Sequence, residues 1–183
     1  MRAAQAGIPY SGHVGHVPDT TWTGTPQPYL WLDLDPTVNT SLGGQSTKYP
    51  PASESEIARV RNKGLMLDEE IIEFWKNNNG WNCFYQMVDL FGTTDMFSER
   101  MNYANTILKI EIENQNEFNG GQLLPIAISR DDMDIFTYVK DGNCRGKVIW
   151  YAGGEIERFD SFIDFFSCMI EYCRADLYDL CNA

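Results

Sequence analysis

The 183-residue chain has only two histidines, both in Gly12-His13-Val14-Gly15-His16-Val17-Pro18-Asp19. With none near a cysteine, a Cys-His nucleophile is disfavoured. Cysteine is also sparse: Cys83, Cys144, Cys168, Cys173 and Cys181 are odd in number, unevenly spaced and without a Cys-x-x-Cys pair. That pattern argues against a disulfide framework, a zinc site or a redox pair, and predicts free thiols. No apolar run approaches the roughly 20 residues that span a bilayer, and the opening MRAAQAGIPYSG lacks the apolar core of a secretory signal. The expectation is a cytoplasmic protein without a membrane segment. Basic residues are scarce, 14 Lys and Arg against 26 Asp and Glu, for a net charge of −12. Phosphate recognition needs clustered Lys and Arg, so nucleic acid is not expected as a direct ligand. Opposite charge steers association, which makes a basic protein the natural partner, although acidity serves solubility equally well. Gly43-Gly44 and Gly120-Gly121 lack the strand, lysine and helix of a phosphate loop.

What the chain does have is apolar mass, 43% hydrophobic with 13% aromatics, enough for one well-buried core and an appendage. The appendage is predicted at residues 1–50. Six of the eight prolines fall there, as do seven threonines and only five charges, Arg2, Lys48, Asp19, Asp33 and Asp35. Proline at that density forbids long helices, so the segment is predicted to be extended, with Trp22, Tyr29 and Trp31 packing against something. All but one unit of the negative charge then belongs to residues 51–183, the predicted folded domain.

Within it, Ser53 or Ser55 can cap a helix to about Lys63 carrying Ile57 and Val60, stopped at Gly64. Leu67, Ile71, Phe74 and Trp75 share a face of a second helix with acids in its first turn, ended by Asn77-Asn78-Asn79-Gly80. Phe84 to Phe91 reads as one strand. Thr94 to about Ile110 reads as a third helix with Phe97, Met101, Ala104 and Leu108 at helical spacing, though Ile107 to Ile112 alternates like a strand. After Asn119-Gly120-Gly121, the runs LLPIAIS, DIFTYV and KVIWYA are three strands joined by Asp131-Asp132 and Asp141-Gly142, the third ending at Gly153-Gly154. Ser161 and Asp164 then open a final helix whose face carries Phe162, Phe165, Phe166, Met169, Ile170, Cys173, Leu177 and Leu180. The predicted fold class is α+β, a mainly antiparallel sheet banked by helices in the order α-α-β-α-β-β-β-α.

Over about residues 53–174 the chain resembles the SUKH superfamily of Smi/Knr-like proteins. The likeness rests on ESEIARVRNKGLMLDEEIIEFWKNNNG, on LLPIAISRDDMDIFTYV, on GKVIWY and on Ser161, Phe162 and Phe165 as Ser-Phe-x-x-Phe. Asp68 stands where proline is common, and Ser129 to Asp134 replaces a Gly-rich segment. The resemblance implies no catalysis and no cofactor, and a protein that neutralises a toxin domain, frequently a nuclease or nucleic-acid deaminase. An acidic inhibitor can mimic phosphate on such a partner. The candidate partner-binding residues are Asp131, Asp132, Asp134 and Asp141 in the turns with Glu155 and Glu157 on the following edge; ordinary turn chemistry explains each singly as well. Trp75, Trp81 and Trp150 are possible anchors if exposed.

Other readings remain open. A cell-wall-signalling scaffold is known within the same superfamily. His13 and His16 with Asp19 could ligate a metal or supply a base, against a plain turn-rich segment. GIPYSGHVGHVPDTTWTG is similar to the C-terminal segments of polymorphic toxins, which would make residues 1–50 a toxin-derived remnant. Asp33 and Asp35 could pair as acid and base, but alternation in Trp31-Leu32-Asp33-Leu34-Asp35 reads better as a half-exposed strand.

Overall fold

In the computed structural model the described residues are 13–17, 30–34 and 49–182 without 66, 114 and 116; for 13–17, 30–34, 174 and 177–182 only the backbone is described. Strands β1 (His13–Val17) and β2 (Leu30–Leu34) form an antiparallel pair of their own, with His16 opposite Trp31 and Val14 opposite Asp33. Positions three apart along a strand fall on opposite faces, so positions 13 and 16 do not share one. Asp19, Trp22, Tyr29, Asp35, Gly43 and Gly44 lie outside the described residues.

The remaining elements are helices α1 (Glu54–Asn62) and α2 (Glu69–Asn77), strands β3 (Trp81–Tyr85) and β4 (Val88–Leu90), and helix α3 (Glu99–Ile112). Strands β5 (Leu123–Ser129), β6 (Ile135–Val139), β7 (Val148–Tyr151) and β8 (Glu155–Phe159) follow, then helix α4 (Phe162–Asn182). Strands β3 to β8 build one antiparallel sheet in chain order. The fold is α+β, as the sequence predicts.

Local chemistry places the helix ends. Ser53 caps α1 in a full capping box, its hydroxyl accepting from the Glu56 N–H while the Glu56 carboxylate accepts from the Ser53 N–H at 2.7 Å. Ser161 does the same for α4, its hydroxyl accepting from the Asp164 N–H at 3.0 Å; the reciprocal bond runs from the Asp160 N–H to the Asp164 carboxylate. Three boundaries differ from expectation. Phe84 to Phe91 contains a hairpin turn at Gln86-Met87, because Gln86 adopts a left-handed φ of 47° that reverses the chain. The stretch from Thr94 starts as a short 3-10 turn at Asp95–Phe97, and α3 begins only at Glu99. Past Gly153 and Gly154, both at positive φ, the chain turns back as β8.

Strands β5 and β6 are buried at every position. That signature, and the near-continuous apolar run of LLPIAIS, belong to strands covered on both faces. Helices α2 and α4 cover one face, α3 the other. Phe162, Phe165 and Phe166 of α4 meet Phe74 of α2 and Phe84, Phe136 and Phe159 of the sheet at ring-centroid distances of 5.0–5.9 Å. On the opposite face α3 buries Met101, Ala104, Ile107 and Leu108. Gly92, after β4, admits no side chain: a Cβ there would stand 2.4 Å from the Asn79 carbonyl oxygen. Cys168 and Cys173 pack against the core as partly buried side chains. No helix among the described residues is long and apolar enough to cross a membrane.

Candidate functional site

An antiparallel sheet in chain order puts alternate turns at the same end. The β3–β4 turn (Gln86, Met87), the β5–β6 turn (residues 130–134) and the β7–β8 turn (residues 152–154) therefore share one end. The Arg130 N–H donates to the Met87 carbonyl at 3.1 Å and ties the first two together.

Asp131 and Asp132 stand exposed on that end, and Asp134 is half-buried beside them. Their positions are fixed by short-range bonds: the Asp131 N–H reaches the Ser129 hydroxyl at 3.4 Å, and the Asp132 carboxylate accepts from the Asp134 N–H at 3.2 Å. Burial pushes the Asp134 carboxyl above the usual carboxylate range, with Asp132 and Glu111 adding repulsion. Two exposed methionines flank the acids, Met87 and Met133, each 41% exposed.

On the α4 side of the same end lies an aromatic belt. Tyr85 meets Trp150 edge-on at 6.1 Å and Tyr172 at 6.4 Å. The Tyr172 hydroxyl donates to the Glu157 carboxylate at 2.6 Å, and the Gln86 amide donates to Asp176 at 2.9 Å. Its bond to Glu157, then burial, raises the Tyr172 phenol to about 12. None of the ion pairs among the described residues involves Asp131, Asp132, Asp134, Glu157 or Asp176. These carboxylates form a surface of one sign, interleaved with methionine and tyrosine.

The structure thus brings together Asp131, Asp132, Asp134 and Glu157, and separates Asp141 and Glu155 from them. Asp141 lies in the β6–β7 loop at the opposite end of the sheet, accepting from the Gly142 N–H at 2.7 Å. Glu155 is neutralised by Arg158 at 2.6 Å, which also chelates Glu117 with bonds of 2.7 and 2.8 Å. A one-residue bulge at Ile156, between the Tyr151–Glu155 and Trp150–Glu157 pairs, puts Glu155 and Glu157 on different faces of the sheet. Of the three candidate anchors, Trp75 and Trp81 are core residues, 2% and 3% exposed, and Trp150 is half-buried at the surface. Tyr85, Tyr172 and Asp176 join this end of the sheet without being among the candidates the sequence offers. The i,i+4 spacing of Tyr172 and Asp176 on one helix face was the available signal. Among the described residues no cluster of three His, Cys, Asp or Glu side chains could hold a metal.

Behind the β5–β6 turn, on the α3 face, is a second constellation. Asp89 of β4 is buried, its carboxylate accepting two bonds from Arg130 (2.7 and 2.8 Å), one from Arg100 (2.5 Å) and one from the Cys83 N–H (2.7 Å). A bulge in β3 makes the last possible: Cys83 takes a φ of 50°, which swings its N–H onto Asp89.

The order of elements, capped α1, acidic α2 closed by Asn-Gly, the buried central strands and the Ser-Phe-x-x-Phe start of α4, coincides with a family model that spans residues 51–168. The chain belongs to the SMI1 / KNR4 family (SUKH-1). Proteins of this family have immunity or regulatory roles and are generally not enzymes. None of the curated proteins compared with the chain matches it.

Proposed function

We propose that this SUKH-1 protein is a bacterial immunity protein that binds a cognate toxin domain, a nuclease or a nucleic-acid deaminase, and occludes its active or substrate-binding surface. The observation that carries the reading is the unneutralised acidic end of the sheet: Asp131, Asp132, Asp134 and Glu157, with Asp176 added, beside Met87, Met133, Tyr85 and Tyr172. A toxin acting on nucleic acid presents positive charge where phosphate binds, and an acidic surface substitutes for that phosphate. The carboxylates accelerate encounter, while the methionines and aromatics supply area that desolvates well and adapts in shape. In this reading the partner is basic, the binding unit is residues 51–183, and inhibition is stoichiometric, in the cytoplasm, without catalysis by the immunity protein.

The experiment is co-expression with the product of the reading frame that neighbours the gene. Rescue of growth together with co-purification of the pair supports the proposal. No rescue and no complex would reject it in favour of the family's regulatory role.

A further inference from the structure

We propose that the cleft between the first turn of α3 and the β4–β5 ladder is a binding site for a carboxylate. It has a volume of about 420 Å³ and is lined by Asn82, Asp89, Arg100, Tyr103, Ile128 and Arg130 among others. In a chain of net charge −12, its lining carries two guanidinium groups against one carboxylate.

Asp89 is what makes the pair a site rather than two mobile side chains. Arg130 binds it through Nε and Nη2, and Arg100 through Nη2, while Arg100 Nη1 is held by Asp95 at 3.3 Å. Each guanidinium has five N–H donors, so both keep donors to spare, notably at Nη1 of Arg130 and Nε of Arg100. Both side chains remain about 40% exposed, whereas Asp89 is 3% exposed. The cations are therefore fixed from behind and open in front. A ligand that meets them need not freeze them, which removes a main cost of binding.

The chemistry selects the ligand. Planar guanidinium forks match a planar carboxylate. With Asp89 and Asp95 both paired to the two guanidinium groups the cluster is neutral overall, so a monoanion charges it less than a phosphate of about −1.5 to −2 would. Asn82 adds an exposed amide, and Tyr103, 54% exposed, adds a phenol and a ring face for an aliphatic stem. The carboxylate can come from an acidic side chain of a protein or from a free small acid; the site reads the chemistry they share.

The test is titration of the ¹⁵N-labelled full chain, followed at the Nε–H signals of Arg100 and Arg130. Sodium acetate is compared with sodium chloride at equal ionic strength, then with inorganic phosphate, then with a blocked Gly-Glu-Gly peptide. Expected are saturable shifts with acetate that chloride does not reproduce, and acetate binding weaker by about tenfold in Arg100→Lys, Asn82→Ala or Tyr103→Phe. The last two variants do not touch Asp89, so they leave its network and the fold in place. Peptide binding tighter than acetate assigns the source to a protein side chain, and equal affinity assigns it to a free acid. Shifts that chloride reproduces, acetate affinity unchanged in all three variants, or phosphate binding tighter than acetate would overturn the proposal. Because the probes are small anions, failure of the toxin to bind leaves these results unaffected.

Discussion

Replacing Asp89 by alanine removes the acceptor on which four donors converge: two from Arg130, one from Arg100 and the Cys83 N–H. Breaking a buried ion pair by deleting one partner costs about 3–5 kcal/mol when the other charge is left buried. Here both guanidinium groups are about 40% exposed and water can reclaim them, so the lower end applies. The Cys83 N–H, aimed inward by a strained φ, loses its acceptor as well. About 3 kcal/mol, for a cooperative unit of roughly this size, lowers Tm by about 10 °C. Thermal unfolding by circular dichroism gives that number directly, and urea unfolding should move its midpoint by about 1–2 M with m unchanged. Asp89→Asn is the informative companion: it keeps an acceptor for the Cys83 N–H while losing the charge, and should fall between wild type and Asp89→Ala. A loss below about 3 °C in Asp89→Ala would refute the claim that this carboxylate ties β4, β5 and α3 together.

Asp134→Asn should stabilise the protein at pH 7. Its carboxyl is raised above the ordinary 3.8, so the stability lent by the protonated form is complete below that value and lost as pH rises through the folded one. The two melting curves should therefore converge in acid, and equal Tm at pH 7 would contradict a half-buried charge. Gly92→Ala should cost about 1–3 kcal/mol, because the new methyl meets the Asn79 backbone at 2.4 Å, and chemical denaturation will measure it. In a Cys181→Ser background, a thiol reagent at pH 8 should label exposed Cys83 first and Cys173 last. Burial raises the Cys173 thiol to about 11, leaving roughly one part in a thousand as thiolate at that pH. Equal labelling rates at the two would show that Cys173 is not packed as described.

Helices α1 and α4 were legible because each carries its signals locally: Ser53 with Glu56 three residues on, and Ser161 with Asp164. The central strands were legible as apolar runs bounded by turn residues. The β3–β4 hairpin was not, because its turn is Gln86-Met87, a pair with no Gly, Asn, Asp or Pro, in which Gln86 nonetheless takes a positive φ. The acidic site was half legible. Asp131 to Asp134 are contiguous and travel together, but whether Asp141 joins them depends on which end of the sheet its loop occupies. Glu155 and Glu157 part company through a bulge that adjacent polar residues do not announce. The Asp89–Arg100–Arg130 network joins residues up to 41 positions apart, with no pattern linking them along the chain.

The most direct test of the account measures association with the cognate toxin domain at low salt, using the triple variant Asp131→Lys, Asp132→Lys, Glu157→Lys beside Asp141→Lys. The triple variant should associate at least tenfold more slowly than wild type and fail to rescue growth, since reversed charges repel a basic partner. Asp141→Lys, at the far end of the sheet, should behave as wild type. Equal association rates for the triple variant and wild type, with rescue intact, would contradict the assignment of the acidic end as the toxin-binding surface.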